Sequence, residues 1–185
     1  FVNATKGGMQ GPWPANDGLP TLEKHRHLDI LAQGQELKMF GVDDIIIGNA
    51  FATDEELEAL TRVNSSEVVL KMDTFRELTE IEKSFIEKSL SDRKESGESV
   101  IRHSYSRVEF KNTEIKKDRE ETIVVKRGTV LLNNDGYLNY KGELLIAKED
   151  IRIDNRRNIV GYINEDYINL LDFIYMGQKF RIVLK

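Results

Sequence analysis

Residues 18–60, GLPTLEKHRHLDILAQGQELKMFGVDDIIIGNAFATDEELEAL, constrain the fold more than any other part of the chain. Ile30, Leu31, Leu37 and Phe40 recur at helical spacing, and Gly41 stands where a C′ glycine ends a helix. The helical region this predicts runs from Gly18, Pro20 and Thr21 to Phe40, continuous or kinked. Val42-Asp43-Asp44-Ile45-Ile46-Ile47 then gives a short β-branched run without alternation, as in a strand buried on both faces of a parallel sheet. Thr53-Asp54-Glu55-Glu56 is a capping box that opens a second helix through Leu57 and Leu60. This is the repeating unit of a (β/α) barrel, in about one and a half copies where a barrel needs eight. The chain is therefore expected to build something smaller from that unit, or to begin partway through a larger protein. Phe1 is no initiator methionine, so the true N-terminus is expected to be processed, trimmed or missing.

After Glu67 the grammar turns mostly β. Strands are expected at Val68–Met72, Ser106–Phe110, Thr122–Val125, Gly128–Leu132, Leu144–Ile146, Asn158–Ile163 and Lys179–Leu184. A helix is expected from Thr79 to near Leu90, a short one at Glu165–Leu171, and a polar mobile loop over 91–99. Closely spaced strands with polar turns, such as Asn133-Asn134-Asp135-Gly136, indicate a small barrel or sandwich.

A chain of 185 residues suits one large domain or two small ones. A formal net charge of −5 argues against non-specific DNA binding, yet leaves room for a local basic pocket. No apolar run is long enough for a transmembrane helix, so neither a nucleic acid nor a membrane is expected as partner. With no cysteine there is no disulfide framework and no cysteine metal site.

Ligands of parallel α/β folds collect beyond the carboxyl ends of the strands. Two segments occupy that position. The loop Ala4–Leu19 carries Lys6, Gln10, Gly11, Pro12, Trp13 and Asp17; the Trp13 indole offers a sugar an apolar face, or pins the loop to the rim. Gly48 and Asn49 offer donors to an anion beside the following helix, or mark tight strand-to-helix packing. Adjacent His25 and His27 point to different helical faces, so a shared metal is not expected, and no cofactor motif occurs. His103 reads as structural. Lys116 to Glu121 and Arg152 to Arg157 read as solvated charge runs. No carboxyl pair suited to glycoside cleavage is evident.

The blocks GLPTLEKHRH, GVDDIIIGNAFATDEELEAL, GTVLLNNDGYLNYKGELLIA and NIVGYI resemble, in order, bacterial proteins once called outer surface proteins and now associated with 6-phospho-N-acetylmuramidase activity. The resemblance implies an α/β plus all-β chain. Residues 1–66 would be the C-terminal part of a (β/α)8 barrel whose first strands are absent, and residues 67–185 a cyclophilin-like β-barrel domain. It implies a cytoplasmic glycoside hydrolase of cell-wall recycling, cleaving the phosphorylated disaccharide of N-acetylmuramic acid 6-phosphate and N-acetylglucosamine. Its catalytic carboxylates would lie on the missing N-terminal barrel half, and this half would bind the phosphosugar. The substrate-binding candidates are Gln10, Gly11, Pro12, Trp13, Gly48 and Asn49. Gln10 and Asn49 stand where the family often has arginine and aspartate, and Asn133 and Asn139 likewise replace aspartate and arginine. These four charge-removing differences point to altered anion recognition. A different class of function, a non-catalytic carbohydrate- or anion-binding module, would place Tyr137, Asn139, Tyr140 and Glu143 around a sugar; the same residues also suit strand surface and turn packing. Prolyl isomerase activity is not expected, since fold does not carry function.

Overall fold

The computed structural model describes residues 1–10 and 17–185, and the chain forms two compact units, Phe1–Val69 and Leu70–Lys185.

In the first unit the α1 helix (Ile30–Met39) starts at Asp29, whose side chain accepts from Leu31 N at 2.9 Å. It stops at Gly41, where φ is +86°, a value glycine tolerates at little steric cost. The long helical region expected from Gly18 is thus shorter, because Asp29 caps the backbone there; only a 3-10 turn, Glu23–His25, precedes it. Eight successive residues of α1, Ile30 to Leu37, are buried, so its polar side chains need protein partners. Gln33 finds them in the backbone of Asn3, accepting from its N–H at 2.7 Å and donating to its carbonyl at 2.8 Å. The α2 helix (Asp54–Thr61) carries the expected capping box of Thr53 and Glu56. Val2, Ala4, Ile30 and Leu37 form the core, with Ile45, Ile47 and Leu60 packed on it.

The second unit holds β1 (Glu67–Asp73, its first three residues counted with the first unit), α3 (Glu80–Lys83), β2 (Ser89–Ser91), β3 (Val100–His103), α4 (Ser106–Glu109), β4 (Ile123–Val125), β5 (Thr129–Asn133), β6 (Leu144–Ala147), β7 (Ile151–Ile153), β8 (Arg157–Ile163) and β9 (Lys179–Leu184). Among the described residues, a seven-stranded sheet runs β2-β9-β1-β8-β5-β6-β3, and β4 pairs with β7 in a separate ribbon. The pairs β1–β8, β8–β5, β5–β6, β6–β3 and β2–β9 are antiparallel. Every residue of β5 and β6 is buried, which means that both faces of the sheet are covered at its centre. On one face, Leu131 and Leu145 pack with Val125 and Ile153 of the ribbon.

The expectation of the end of a (β/α)8 barrel followed by a cyclophilin-like β-barrel is not met; the fold is mixed α/β with a mostly antiparallel sheet. In the first unit the run Val42–Ile47 makes a single parallel bridge, Val2 to Ile47. Val2 N–H donates to Ile46 O at 2.9 Å, and Gly48 N–H to Val2 O at 2.8 Å. One bridge is no ladder, and no barrel closes among the described residues. In the second unit the edges β2 and β3 meet through one backbone bond just past β2, Arg93 N–H to Arg102 O at 3.0 Å, and through the side chains of His103 and Asp92, which accept from Ser91 N–H and Arg102 N–H, rather than along a ladder. Two local expectations also change. The helix begun by Thr79 ends at Lys83, since Ile86 bridges to Ile182 and Glu87 takes φ +61°. Residues Ser106–Glu109 form a helical turn in place of a strand, with Ser106 Oγ donating to His103 O at 2.9 Å.

Candidate functional site

The face of the sheet that carries the small core of Leu131 and Leu145 becomes polar toward one end. Side chains two apart on a strand share a face. Arg102 therefore follows Val100 on β3, Asn133 follows Leu131 on β5, Glu143 precedes Leu145 on β6, and Arg157 precedes Ile159 on β8. These four polar residues line a cavity of about 230 Å³ floored by Val100 and Leu145.

The β5–β6 connection supplies the rim. Asn134 caps the 3-10 segment Asp135–Tyr140 by accepting from Gly136 N–H at 3.0 Å. The segment is kinked, with non-helical backbone at Tyr137 and Leu138, and Tyr137 and Tyr140 both line the cavity. Their rings meet edge to face, centroids 5.5 Å apart. Between them Leu138 takes φ +24° and is 84% exposed, a strained backbone for a residue with a Cβ. The loop holds this strain through Ile115 N–H to Asp135 Oδ2 at 3.0 Å and the Lys141–Asp135 ion pair at 3.0 Å.

Inside the cavity, Glu143 has no solvent exposure. Arg102 donates to it twice, Nη2 to Oε2 at 2.8 Å and Nε to Oε1 at 3.2 Å, and Ser104 Oγ donates to Oε1. Asn133 Nδ2 donates to Tyr140 O at 3.0 Å and sits 3.5 Å from Glu143 Oε2. Asn133 is 2% exposed, and its Oδ1 has no hydrogen-bond partner. Arg157 is different again. Its Nη2 donates to Tyr137 Oη at 3.3 Å, its Nε is buried without a hydrogen-bond partner, and among the described residues no carboxylate makes an ion-pair contact with it, although, after the hydrogen bond from Arg156, its charge helps to lower the Asp154 carboxyl. Arg156 and Arg157 lie over the Tyr137 ring, at 4.3 and 5.4 Å from its centroid, while Arg102 lies 5.5 Å from that of Tyr140.

Of the residues expected from sequence, Tyr137, Tyr140 and Glu143 thus come together. Asn139 is exposed beside them, and its carbonyl accepts from Arg107 Nη1 at 3.5 Å. Sequence reasoning missed Arg102 and Arg157. Arg157 was hidden in a charge run, although the alternation of β8 carried the signal: an arginine in step with inward-facing Ile159.

The first-unit candidates have other occupations. Gln10 is exposed at the end of the 3-10 helix Gly7–Gln10, and Gly11, Pro12 and Trp13 lie outside the described residues. Asn49 is fully buried. Its Oδ1 accepts from Ala4 N–H at 2.9 Å and its Nδ2 donates to Ala4 O at 2.8 Å, so its amide is committed to backbone, as is the Gly48 N–H. Nearby, Glu56 does more than cap α2. Its carboxylate accepts from Lys6 N–H at 2.8 Å, Gly7 N–H at 2.9 Å and Thr53 N–H at 2.9 Å. Burial pushes this carboxyl up, but those hydrogen bonds outweigh it and hold it below the usual range. His25 and Lys24 both reach the buried Glu36, at 2.6 and 2.5 Å.

Among the described residues, no group of three or more His, Cys, Asp or Glu is placed to hold a metal ion, and no helix is long and apolar enough to cross a membrane.

An arginine without a carboxylate partner, set beside two tyrosine rings, makes this mixed α/β protein one with a pocket chemically suited to a small anionic ligand bearing an apolar face. Its residues 1–62 match the family model described as 6-phospho-N-acetylmuramidase, N-terminal, and residues 68–183 the one described as 6-phospho-N-acetylmuramidase, C-terminal. The chain belongs to the 6-phospho-N-acetylmuramidase family. It is similar to an uncharacterized B. cereus protein of known crystal structure, with 37% identity and a TM-score of 0.86 over 99% of this chain and 52% of that one. It shares its fold with a conserved Enterococcus faecalis protein of unknown function, at 24% identity and a TM-score of 0.73, over 100% of this chain and 49% of that one. The chain thus spans about half the length of these solved relatives. No curated protein matches it.

Proposed function

We propose that the chain is the sugar-binding portion of a cytoplasmic glycosidase that hydrolyses 6-phospho-N-acetylmuramyl-N-acetylglucosamine in cell-wall recycling. Membership of the family supports the reaction class. The observation that carries the reading is Arg157, a cation without a carboxylate partner that lines a cavity shared with Tyr137 and Tyr140. A planar guanidinium supplies charge and directed donors to an acidic group, while aromatic faces cover the apolar face of a sugar ring. Glycoside cleavage needs two carboxyl groups across the scissile bond. The single carboxyl lining this cavity, Glu143, is already held by Arg102 and Ser104, so the pocket binds and the cutting groups lie outside it.

The same locked carboxylate favours, as a second reading, a carbohydrate- or anion-binding module with no turnover. The test is to incubate the full-length protein with the phosphorylated disaccharide, following release of N-acetylglucosamine, while calorimetry measures binding to this chain. Release with binding supports the hydrolase. Binding without release leaves the module. Neither would sink both readings.

A further inference from the structure

Among the described residues lining the pocket, two guanidiniums face one carboxylate, which leaves one positive charge for a ligand. The Arg102 guanidinium is spent on Glu143, so that charge resides on Arg157. A phosphate monoester carries nearly two negative charges at neutral pH and is commonly cradled by backbone N–H groups. Neither requirement is met here. The N–H groups of Asn134, Gly136, Tyr137, Gly142 and Glu143 are committed to Arg156 O, Asn134 Oδ1, Asn134 O, Asn133 O and Tyr140 O. Of the nearby cations, Lys141 is spent on Asp135 and Arg156 on Asp154 at 2.6 Å, while Arg107, over the Tyr140 ring but outside the cavity lining, donates to the carbonyls of Ser104 and Asn139. A single guanidinium such as Arg157, whose Nε has no hydrogen-bond partner and whose Nη2 spends one bond on Tyr137 Oη, instead matches a carboxylate, the group a guanidinium grips through two parallel hydrogen bonds.

Size points the same way. At about 230 Å³ the cavity is smaller than the roughly 300–1,000 Å³ usual for whole drug-sized ligands, so it takes one end of a molecule rather than a disaccharide. A wider cavity of about 510 Å³ lies beside Arg76, but that arginine is fully engaged by Glu82, at 2.7 and 2.8 Å.

We propose that this pocket recognises the carboxylate of an acidic sugar, with Arg157 as the residue that reads it and Tyr137 and Tyr140 flanking the ring. For a muramyl ligand that group is the lactyl carboxylate, and the phosphate is bound elsewhere. The inference rests on the sugar-binding reading given above, and it makes Arg157 the discriminator between muramyl and glucosaminyl units, which differ by the lactyl group.

The test titrates this chain by calorimetry with N-acetylmuramic acid and N-acetylglucosamine, each with and without a 6-phosphate. The muramyl compounds should bind about tenfold to a hundredfold more tightly than their glucosaminyl counterparts, as expected for charge-assisted hydrogen bonds. Arg157→Gln should abolish that preference, so that the muramyl and glucosaminyl compounds bind that variant equally. Should Arg157→Gln fail to fold, competition on the wild-type chain decides: free lactate should displace the muramyl ligand and inorganic phosphate should not. If affinity follows the phosphate and ignores the lactyl group, the carboxylate assignment falls while sugar binding stands. If none of the four compounds binds, both fall.

Discussion

Arg102 holds the fully buried carboxylate of Glu143 along one edge of its guanidinium, through Nη2 at 2.8 Å and Nε at 3.2 Å. The pair is lopsided: the arginine side chain keeps 23% of its exposure and the glutamate none. Removing each partner should therefore have a different cost. Arg102→Ala strands a negative charge in the interior and is expected to destabilise the chain by about 3–5 kcal/mol. Glu143→Gln leaves an arginine that water still reaches, and should cost less. Urea unfolding of the two variants checks the order; equal losses would mean that Glu143 is not sealed from water.

Glu56 ties the 5–7 segment to the start of α2 with opposite oxygens. Oε1 accepts from Lys6 N–H, and Oε2 from Gly7 and Thr53 N–H. Glu56→Ala should destabilise the first unit by about 2–3 kcal/mol, through a lost cap and lost charge-assisted hydrogen bonds. Glu56→Gln keeps one acceptor oxygen. Hydrogen exchange should then show protection retained at Lys6, or at Gly7 and Thr53, but not at all three. Unchanged exchange in both variants would refute the tie.

Acid should weaken the fold in two stages. Burial holds the His103 imidazole below its ordinary 6.5, and Ser91 N–H donates to its Nδ1 at 3.2 Å. The unfolded chain takes up that proton first, so stability is full above pH 6.5 and declines below it. Glu36, Glu56 and Glu82 are pushed up by burial. Hydrogen bonds from His25 and Lys24, from the backbone of Lys6, Thr53 and Gly7, and from Arg76 and Thr79 nonetheless hold them below their ordinary 4.5. Their contribution is present above 4.5 and is lost as pH falls through the folded-state values. Thermal unfolding from about pH 8 to about pH 4 should show a shallow decline, then a steeper one. His103→Gln should remove only the first; a flat midpoint across the range would contradict both assignments.

Much of the local structure was legible because its causes are local. Gly41 ends α1 and Thr53 opens α2 where the residue types demand it, and Thr79 with Glu82 forms a second capping box. The helix started by Thr79 was over-extended. Ile81, Phe85 and Ile86 have helical spacing, yet the bridge from Ile86 to Ile182 ends it, and that partner lies 96 residues away in sequence. The β5–β6 connection was singled out through Tyr137, Tyr140 and Glu143, which line one cavity, whereas the arginines opposite them were not.

The caps, the turn residues and the short apolar runs that make β5, β6 and β8 strands can be read from the residues alone, because each depends on neighbours within a few positions. It took the folded chain to show that the described residues of the first unit form one bridge rather than a barrel, and that Arg102 neutralises Glu143 while Arg157 has no carboxylate in ion-pair contact among the described residues. The reason is register. An arginine on a strand has the same local preferences whether it faces water, a carboxylate or an open cavity. Which of these it meets is set by the pairing of strands far apart in the chain.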